Sequence, residues 1–195
     1  MRRPGAILAV LASALSACSA SGERTSVSVG YYAIKGDSFE ALDQQIGLHG
    51  PNVEGAGRAL AATTVRMVPN FRFGYESGAC RVLEARVTVN AHVLLPKLAS
   101  PEALKQALSR AWDNLEQYAR LHESVHVSIA DRHAEQAEKA ILALPPEADC
   151  SSLRASAAQA FRREMAEHQR DQLQFDEDEK GRIADLMRRT REQDG

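Results

Sequence analysis

The five residues His122-Glu123-Ser124-Val125-His126 form the pattern H-E-x-x-H. On an α-helix, residues four positions apart lie on one face, so both imidazoles can bind one metal ion with the Glu123 carboxylate beside it. Zinc suits this ligand set because it accepts neutral imidazole and, with three protein donors, keeps a fourth position for water. The pattern predicts that Glu123 is the general base for a zinc-bound water that attacks a carbonyl carbon.

A long helix is predicted to carry this motif. Ser100 can cap it, Pro101 suits the first helical position, and no Gly or Pro follows until Pro145-Pro146, so we expect a helix of about forty residues. His122 and His126 continue its apolar stripe and therefore face the interior. The alternative interpretation is a pair of core histidines that are hydrogen-bonded to neighbouring groups.

The motif provides only two metal ligands, and a third must come from elsewhere in the chain. His133 lies about 10 Å beyond His126 along an unbroken helix, which is too far to share its ion, so we expect it on the surface or behind the ligands. No histidine or glycine stands where a short metzincin-type motif would continue, because Arg132 occupies the position of its third histidine.

A second helix, from about residue 149 to beyond Phe175, is the expected source of the third ligand. Antiparallel pairing about the turn at residues 144 to 147 would place residues 166 to 170 opposite the motif. His168 is therefore the first candidate, with Glu164 and Asp176 as alternatives. His168 could also be a packing histidine that is hydrogen-bonded to the first helix.

The residues before the long helix have the alternating pattern of β-strands. Extended segments are predicted near residues 27 to 33, 58 to 73 and 81 to 95, with a short helix between the first two that ends before Gly47. Alternation of apolar and polar residues in the third segment predicts a small antiparallel sheet with one solvent-exposed face, and His92 lies on that face. The predicted fold class is α+β, a small antiparallel sheet packed against a long antiparallel helical hairpin.

The N-terminal segment resembles a bacterial lipoprotein signal. Two arginines precede an apolar run of ten residues, Ala6 to Leu15, which is too short to span a bilayer. Leu15-Ser16-Ala17-Cys18 resembles a lipobox, which predicts a signal peptide over residues 1 to 17 and a lipidated Cys18 at the start of a polar tether, residues 18 to 26. Ser19 beside it favours the outer membrane, facing the periplasm. An ordinary secretory signal is the alternative.

The remaining composition describes one soluble, disulfide-bonded domain. The chain has 195 residues and a formal net charge of −2, which argues against a nucleic-acid partner because such proteins carry a strongly basic face. Once Cys18 is set aside, Cys80 and Cys150 remain, and an oxidising compartment favours a disulfide between them. We expect one zincin-like domain over residues 27 to 175 and a charged tail, solvated or frayed, over residues 176 to 195.

The chain resembles the bacterial domain of unknown function 922 family, described as predicted secreted zinc-dependent proteases. The resemblance runs through five segments and two single residues, namely Tyr31 to Gly36, Gly50-Pro51, Cys80, Val87 to Val89, Leu95-Pro96, Trp112 and the motif at 122 to 126. Family members tend to end with Tyr-Asp followed by Thr and His-Gly. Here Phe175-Asp176 matches the first pair, whereas Glu179 and Gly181 occupy the later positions.

Motif and resemblance together predict an envelope-anchored zinc peptidase that acts on a peptide or protein substrate. His122 and His126 are the expected ligands and Glu123 the expected base. Two alternatives stay open. One is a non-catalytic metal-binding or structural lipoprotein with a degenerate protease site, and the other is an amidase that acts on cell-wall peptides.

Overall fold

The computed structural model describes residues 24 to 53 and 57 to 192, and it has the predicted α+β fold. The elements in chain order are β1 (Thr25–Ile34), α1 (Phe39–His49), β2 (Asn52–Val53), β3 (Gly57–Arg58), β4 (Ala62–Glu76), β5 (Ala79–Leu98), a 3-10 turn (Pro101–Ala103), α2 (Gln106–Leu142) and α3 (Cys150–Glu192). The predicted signal peptide and Cys18 lie outside the described residues. Within the described residues, no helix is both long and apolar enough to cross a membrane.

The main sheet is mixed, not antiparallel throughout as expected. Its strand order is β1-β5-β4, and β5 pairs antiparallel with β4 but parallel with β1. The β4–β5 connection is a tight turn in which Ser77 and Gly78 both have positive φ. The pairing of β1 was wrong because an alternating pattern specifies the two faces of a strand but not its direction.

One face of the sheet packs against α2. The predicted alternation in β5 is confirmed, since Val87, Val89, Ala91 and Val93 are buried whereas His92 is exposed. Small residues on α2 allow this close approach, because Ala130, Ala134 and Ala137 pack directly on Val87 and Val89. The sheet therefore fixes both the height and the rotation of the helix that carries the motif.

Helices α2 and α3 form the predicted hairpin, and α3 begins where expected, whereas α2 begins later than predicted. Ser100 makes no side-chain cap and Pro101 opens the 3-10 turn, so α2 begins at Gln106. Between the helices, Glu147 pairs with Cys80 of β5 through two backbone hydrogen bonds of 2.8 and 3.0 Å. Cys80 and Cys150 form the expected disulfide, with a Cα–Cα distance of 5.2 Å. The start of α3 is thus fixed to the sheet.

The charged segment after residue 175 continues α3 instead of leaving the fold. Leu186 and Met187 pack against a core cluster that includes Ile34, Phe39 and Leu42. Thr190 is only 2% exposed, and its hydroxyl donates to the Leu186 carbonyl at 3.0 Å. The far end of α3 therefore contacts α1 and the end of β1, so both ends of this helix are held.

Replacing Cys80 and Cys150 together by serine should lower the free energy of unfolding by about 4 kcal/mol, because the bond closes a loop with a sequence separation of 70 residues. Urea unfolding followed by circular dichroism measures the loss. Wild-type protein treated with reductant is the control and should match the double variant. Equal unfolding midpoints for oxidised and reduced wild type would contradict a stabilising role for the bond.

Candidate metal site

Three side chains converge between α2 and α3. Nε2 of His126 lies 3.1 Å from Nε2 of His122 and 3.1 Å from Oδ1 of Asp176, and Nε2 of His122 lies 3.3 Å from the same oxygen. The two imidazoles come from successive turns of α2 and the carboxylate from α3. Two nitrogen atoms and one carboxylate oxygen therefore form a nearly equilateral triangle that could hold a metal ion.

The size of this triangle fits a tetrahedral ion with short bonds. Zinc binds imidazole nitrogen and carboxylate oxygen at about 2.0 to 2.1 Å, and tetrahedral angles then place its ligand atoms about 3.3 Å apart. The three separations here are 3.1, 3.1 and 3.3 Å. The side chains of His122 and His126 are 11% and 13% exposed and that of Asp176 is 44% exposed, so the carboxylate lies on the solvent side.

The environment of His122 favours the form of imidazole that binds metals. Burial lowers the pKa of His122, and the neighbouring His126 lowers it further, while Asp176 acts in the opposite direction. Nδ1 of His122 is buried without a hydrogen-bond partner among the described residues. The neutral ring presents Nε2 to the other two ligand atoms, and metals bind the neutral form.

Glu123 points from α2 toward the sheet and is only 4% exposed. The Thr63 hydroxyl, at the start of β4, donates to Glu123 Oε2 at 2.7 Å. Burial raises the pKa of Glu123, and the hydrogen bond from Thr63 partly offsets that effect. Asp176 also raises the pKa of Glu123, whereas His126 lowers it.

His168 is not a member of the triangle, and it contacts Gln172, which lies one turn of α3 before Asp176. Its Nε2 is 2.8 Å from the side-chain nitrogen of Gln172, which donates to it. Burial lowers the pKa of His168, and the nearby His133 lowers it further. Because the Nε2 lone pair accepts this bond, it is not directed at the triangle. The structure favours the alternative ligand Asp176 over His168.

The other alternative, Glu164, belongs to a second cluster, which is centred on the buried His133. His133 is 3% exposed, and its two ring nitrogens contact the carboxylates of Glu164 at 2.5 Å and Asp171 at 3.0 Å. Arg132 also donates to Asp171, at 2.6 Å. His133 is therefore neither a surface residue nor a ligand, and Glu164 is occupied away from the metal site.

Two aromatic rings, those of Tyr118 and Phe175, lie beside the histidines of the triangle. The ring of Phe175 lies 4.7 Å from that of His122 and 5.1 Å from that of His126, between centroids. The Tyr118 hydroxyl donates to Glu179, and burial together with this carboxylate raises the pKa of Tyr118 to about 12. Phe175 limits rotation of both imidazoles, and Tyr118 connects the turn before His122 to α3.

A family model described as "Bacterial protein of unknown function (DUF922)" matches residues 29–182. The chain belongs to this family. The matched span includes β4, β5 and most of β1, together with the H-E-x-x-H motif and Asp176. The family description assigns no activity, and no curated protein and no solved structure matches the chain.

The C-terminal residues that resemble or depart from the DUF922 pattern can now be placed relative to the triangle. Of the family's Tyr-Asp pair, this chain keeps the aspartate, Asp176, and that residue is the third member of the metal group. Glu179, at the position of the family threonine, accepts the hydrogen bond from Tyr118. Gly181, at the position of the family histidine, lies on the exposed side of α3. The departures from the family pattern leave all three members of the triangle in place.

Two residues that contact the site, Thr63 and Gln172, were not predicted from the sequence. Thr63 comes from a strand far away in the chain and has no signature of its own. Gln172 did have one, since His168, Gln172 and Asp176 are spaced four residues apart and therefore share one face of α3.

Proposed function

We propose that this protein is a zinc-dependent peptidase in which His122, His126 and Asp176 hold the ion and Glu123 is the general base. The observation that carries the proposal is the triangle of ligand atoms with a buried carboxylate on the neighbouring residue of the same helix. Two neutral imidazoles and one carboxylate are a ligand set known from catalytic zinc sites, which keep an open position. The non-catalytic alternative is an outcome of the tests below.

Zinc, when bound, acts as a Lewis acid that polarises a carbonyl group and makes a water molecule acidic at neutral pH. Glu123 would accept a proton on its carboxylate as the water oxygen forms a bond to the carbonyl carbon. As the carbon–nitrogen bond breaks, the same carboxyl group would return that proton to the leaving amine. The hydrogen bond from Thr63 holds the Glu123 side chain in one orientation throughout.

The neighbouring strand supports an extended peptide as the substrate. β4 pairs only with β5 in the described part of the chain, so its outer edge retains free backbone donors and acceptors. Thr63, whose hydroxyl contacts Glu123, lies on this edge strand. Extended peptides add to such edges through main-chain hydrogen bonds, which would place a peptide carbonyl near the base.

We also propose that the protein is a lipoprotein of the bacterial envelope, anchored through Cys18 and directed to the outer membrane. The lipobox-like sequence carries this proposal. Metabolic labelling with a fatty acid should mark the wild type but not Cys18→Ser, and fractionation should place the labelled protein in the outer membrane. Equal labelling of both would contradict lipidation at this residue.

Purified protein dialysed at neutral pH should retain one zinc ion per chain, because three preformed donors leave little to organise on binding. Elemental analysis gives the stoichiometry, and chelator treatment should remove the metal together with hydrolysis of a peptide library. A parallel assay with cell-wall peptides as the substrate tests for the alternative amidase activity. Retention of zinc without product in either assay would support the non-catalytic alternative, and absence of zinc would overturn the metal proposal.

A further inference from the structure

We infer that Gln172 is a positioning residue that fixes the tautomer of His126 so that Nε2 is free for the metal. The inference deepens the proposed function and depends on the same site. It rests on three hydrogen bonds of one side chain that bridges α2 and α3. Gln172 itself is not a ligand in the triangle.

The orientation of the Gln172 amide follows from a backbone group. One end of the amide lies 3.0 Å from the main-chain carbonyl oxygen of His126, and a carbonyl can only accept a hydrogen bond. That end is therefore the NH2 group. Its contact with Nε2 of His168 at 2.8 Å is consistent, because a second N–H donates there.

The opposite end of the amide then determines where His126 carries its proton. Oε1 of Gln172 is 2.5 Å from Nδ1 of His126 and can only accept. Nδ1 must therefore carry hydrogen, and in the neutral ring Nε2 has a free lone pair. That lone pair belongs to the atom 3.1 Å from both Nε2 of His122 and Oδ1 of Asp176.

The choice of tautomer matters because neutral histidine in water prefers hydrogen on Nε2. Without Gln172, His126 would have to move this proton before it could bind an ion. Hydrogen bonds to the non-ligating nitrogen of a metal-bound histidine typically contribute about 10- to 100-fold in metal affinity. We expect a loss in this range when the amide is removed.

The test uses Gln172→Leu and, as rescue, Gln172→Glu, whose carboxylate still accepts from Nδ1 of His126. Gln174→Leu is the matched control, since Gln174 is exposed on the same helix and its amide donates to Asp178, away from the triangle. The metal-free proteins are compared by nitrogen-15 NMR of the imidazoles at mildly alkaline pH. Zinc affinity is measured by competition with a chromogenic chelator.

Gln172→Leu should shift His126 toward the Nε2–H tautomer and weaken zinc binding by about 10- to 100-fold. Gln172→Glu should keep the Nδ1–H signal of His126, although it loses the donor to the His126 carbonyl oxygen. Gln174→Leu should change neither the tautomer nor the affinity. An unchanged tautomer in Gln172→Leu, or loss of the Nδ1–H signal in Gln172→Glu, would overturn the inference. If the wild type binds no zinc, the proposed function fails, and the tautomer measurement alone decides the role of Gln172.

Discussion

Replacing Asp176 by alanine should weaken zinc binding by more than the roughly 100-fold that loss of an outer hydrogen-bond partner costs. The reason is that Asp176 supplies one of three ligand atoms and the only negative charge among them. Two imidazoles four residues apart would remain on α2, which is one donor short of the usual catalytic site. Chelator competition measures the change, and elemental analysis after dialysis should find little zinc.

Two further variants make this result specific. Asp178→Ala removes a carboxylate two residues along the same helix, where Asp178 is exposed and accepts from Gln174 at 2.8 Å. It should retain wild-type zinc affinity. His168→Ala should retain much more affinity than Asp176→Ala, because Nε2 of His168 accepts from Gln172. The reverse order of the two losses would reinstate His168 as the third ligand.

Replacing Glu123 by glutamine should reduce peptide hydrolysis by about 100- to 10,000-fold while zinc content stays unchanged. The amide has nearly the same shape, and its oxygen can still accept the hydrogen bond that Thr63 donates to this side chain. Unlike the carboxylate, however, the amide cannot accept a proton from water at neutral pH. The rate of cleavage of a peptide selected from the library gives the loss of activity, and elemental analysis gives the metal content.

Glu116→Gln is the matched control for this substitution. Glu116 lies on the same helix, and its carboxylate contacts Arg120 at 2.6 Å instead of the metal site. It should hydrolyse the peptide at the wild-type rate. Equal cleavage rates for wild type and Glu123→Gln, with zinc bound in both, would exclude Glu123 as the general base.

The motif itself could be predicted because its geometry is local. Four residues of helix place His122 and His126 on one face whatever the rest of the chain does. The alternation in β5 was equally informative, because the period of two separates the buried Val87 and Val89 from the exposed His92. Such features depend on neighbours in the sequence, and the structure confirms the α+β fold that they predict.

The third ligand depended on the register between two helices, which the sequence does not fix. The prediction assumed a symmetric turn and placed residues 166 to 170 opposite the motif. In the structure, His126 faces Gln172 and His122 faces Asp176, beyond that range. The connection is not symmetric because Glu147 pairs with Cys80 and the disulfide holds Cys150 beside the same strand. A tertiary contact therefore determines which residue meets the motif.

The packing at the C-terminal end of α3 limits how far the chain can be truncated without disturbing the metal site. The family match stops at residue 182, yet Leu186 and Met187 pack beneath α1, and the guanidinium of Arg191 lies 5.0 Å from the ring centre of Phe39. A chain trimmed to the matched span would keep both imidazoles and the carboxylate, but α3 would then end shortly after Asp176 and would lose its contacts with α1. The residues of α3 beyond the matched span therefore help to hold Asp176 beside His122 and His126, although they make their own contacts far from these side chains.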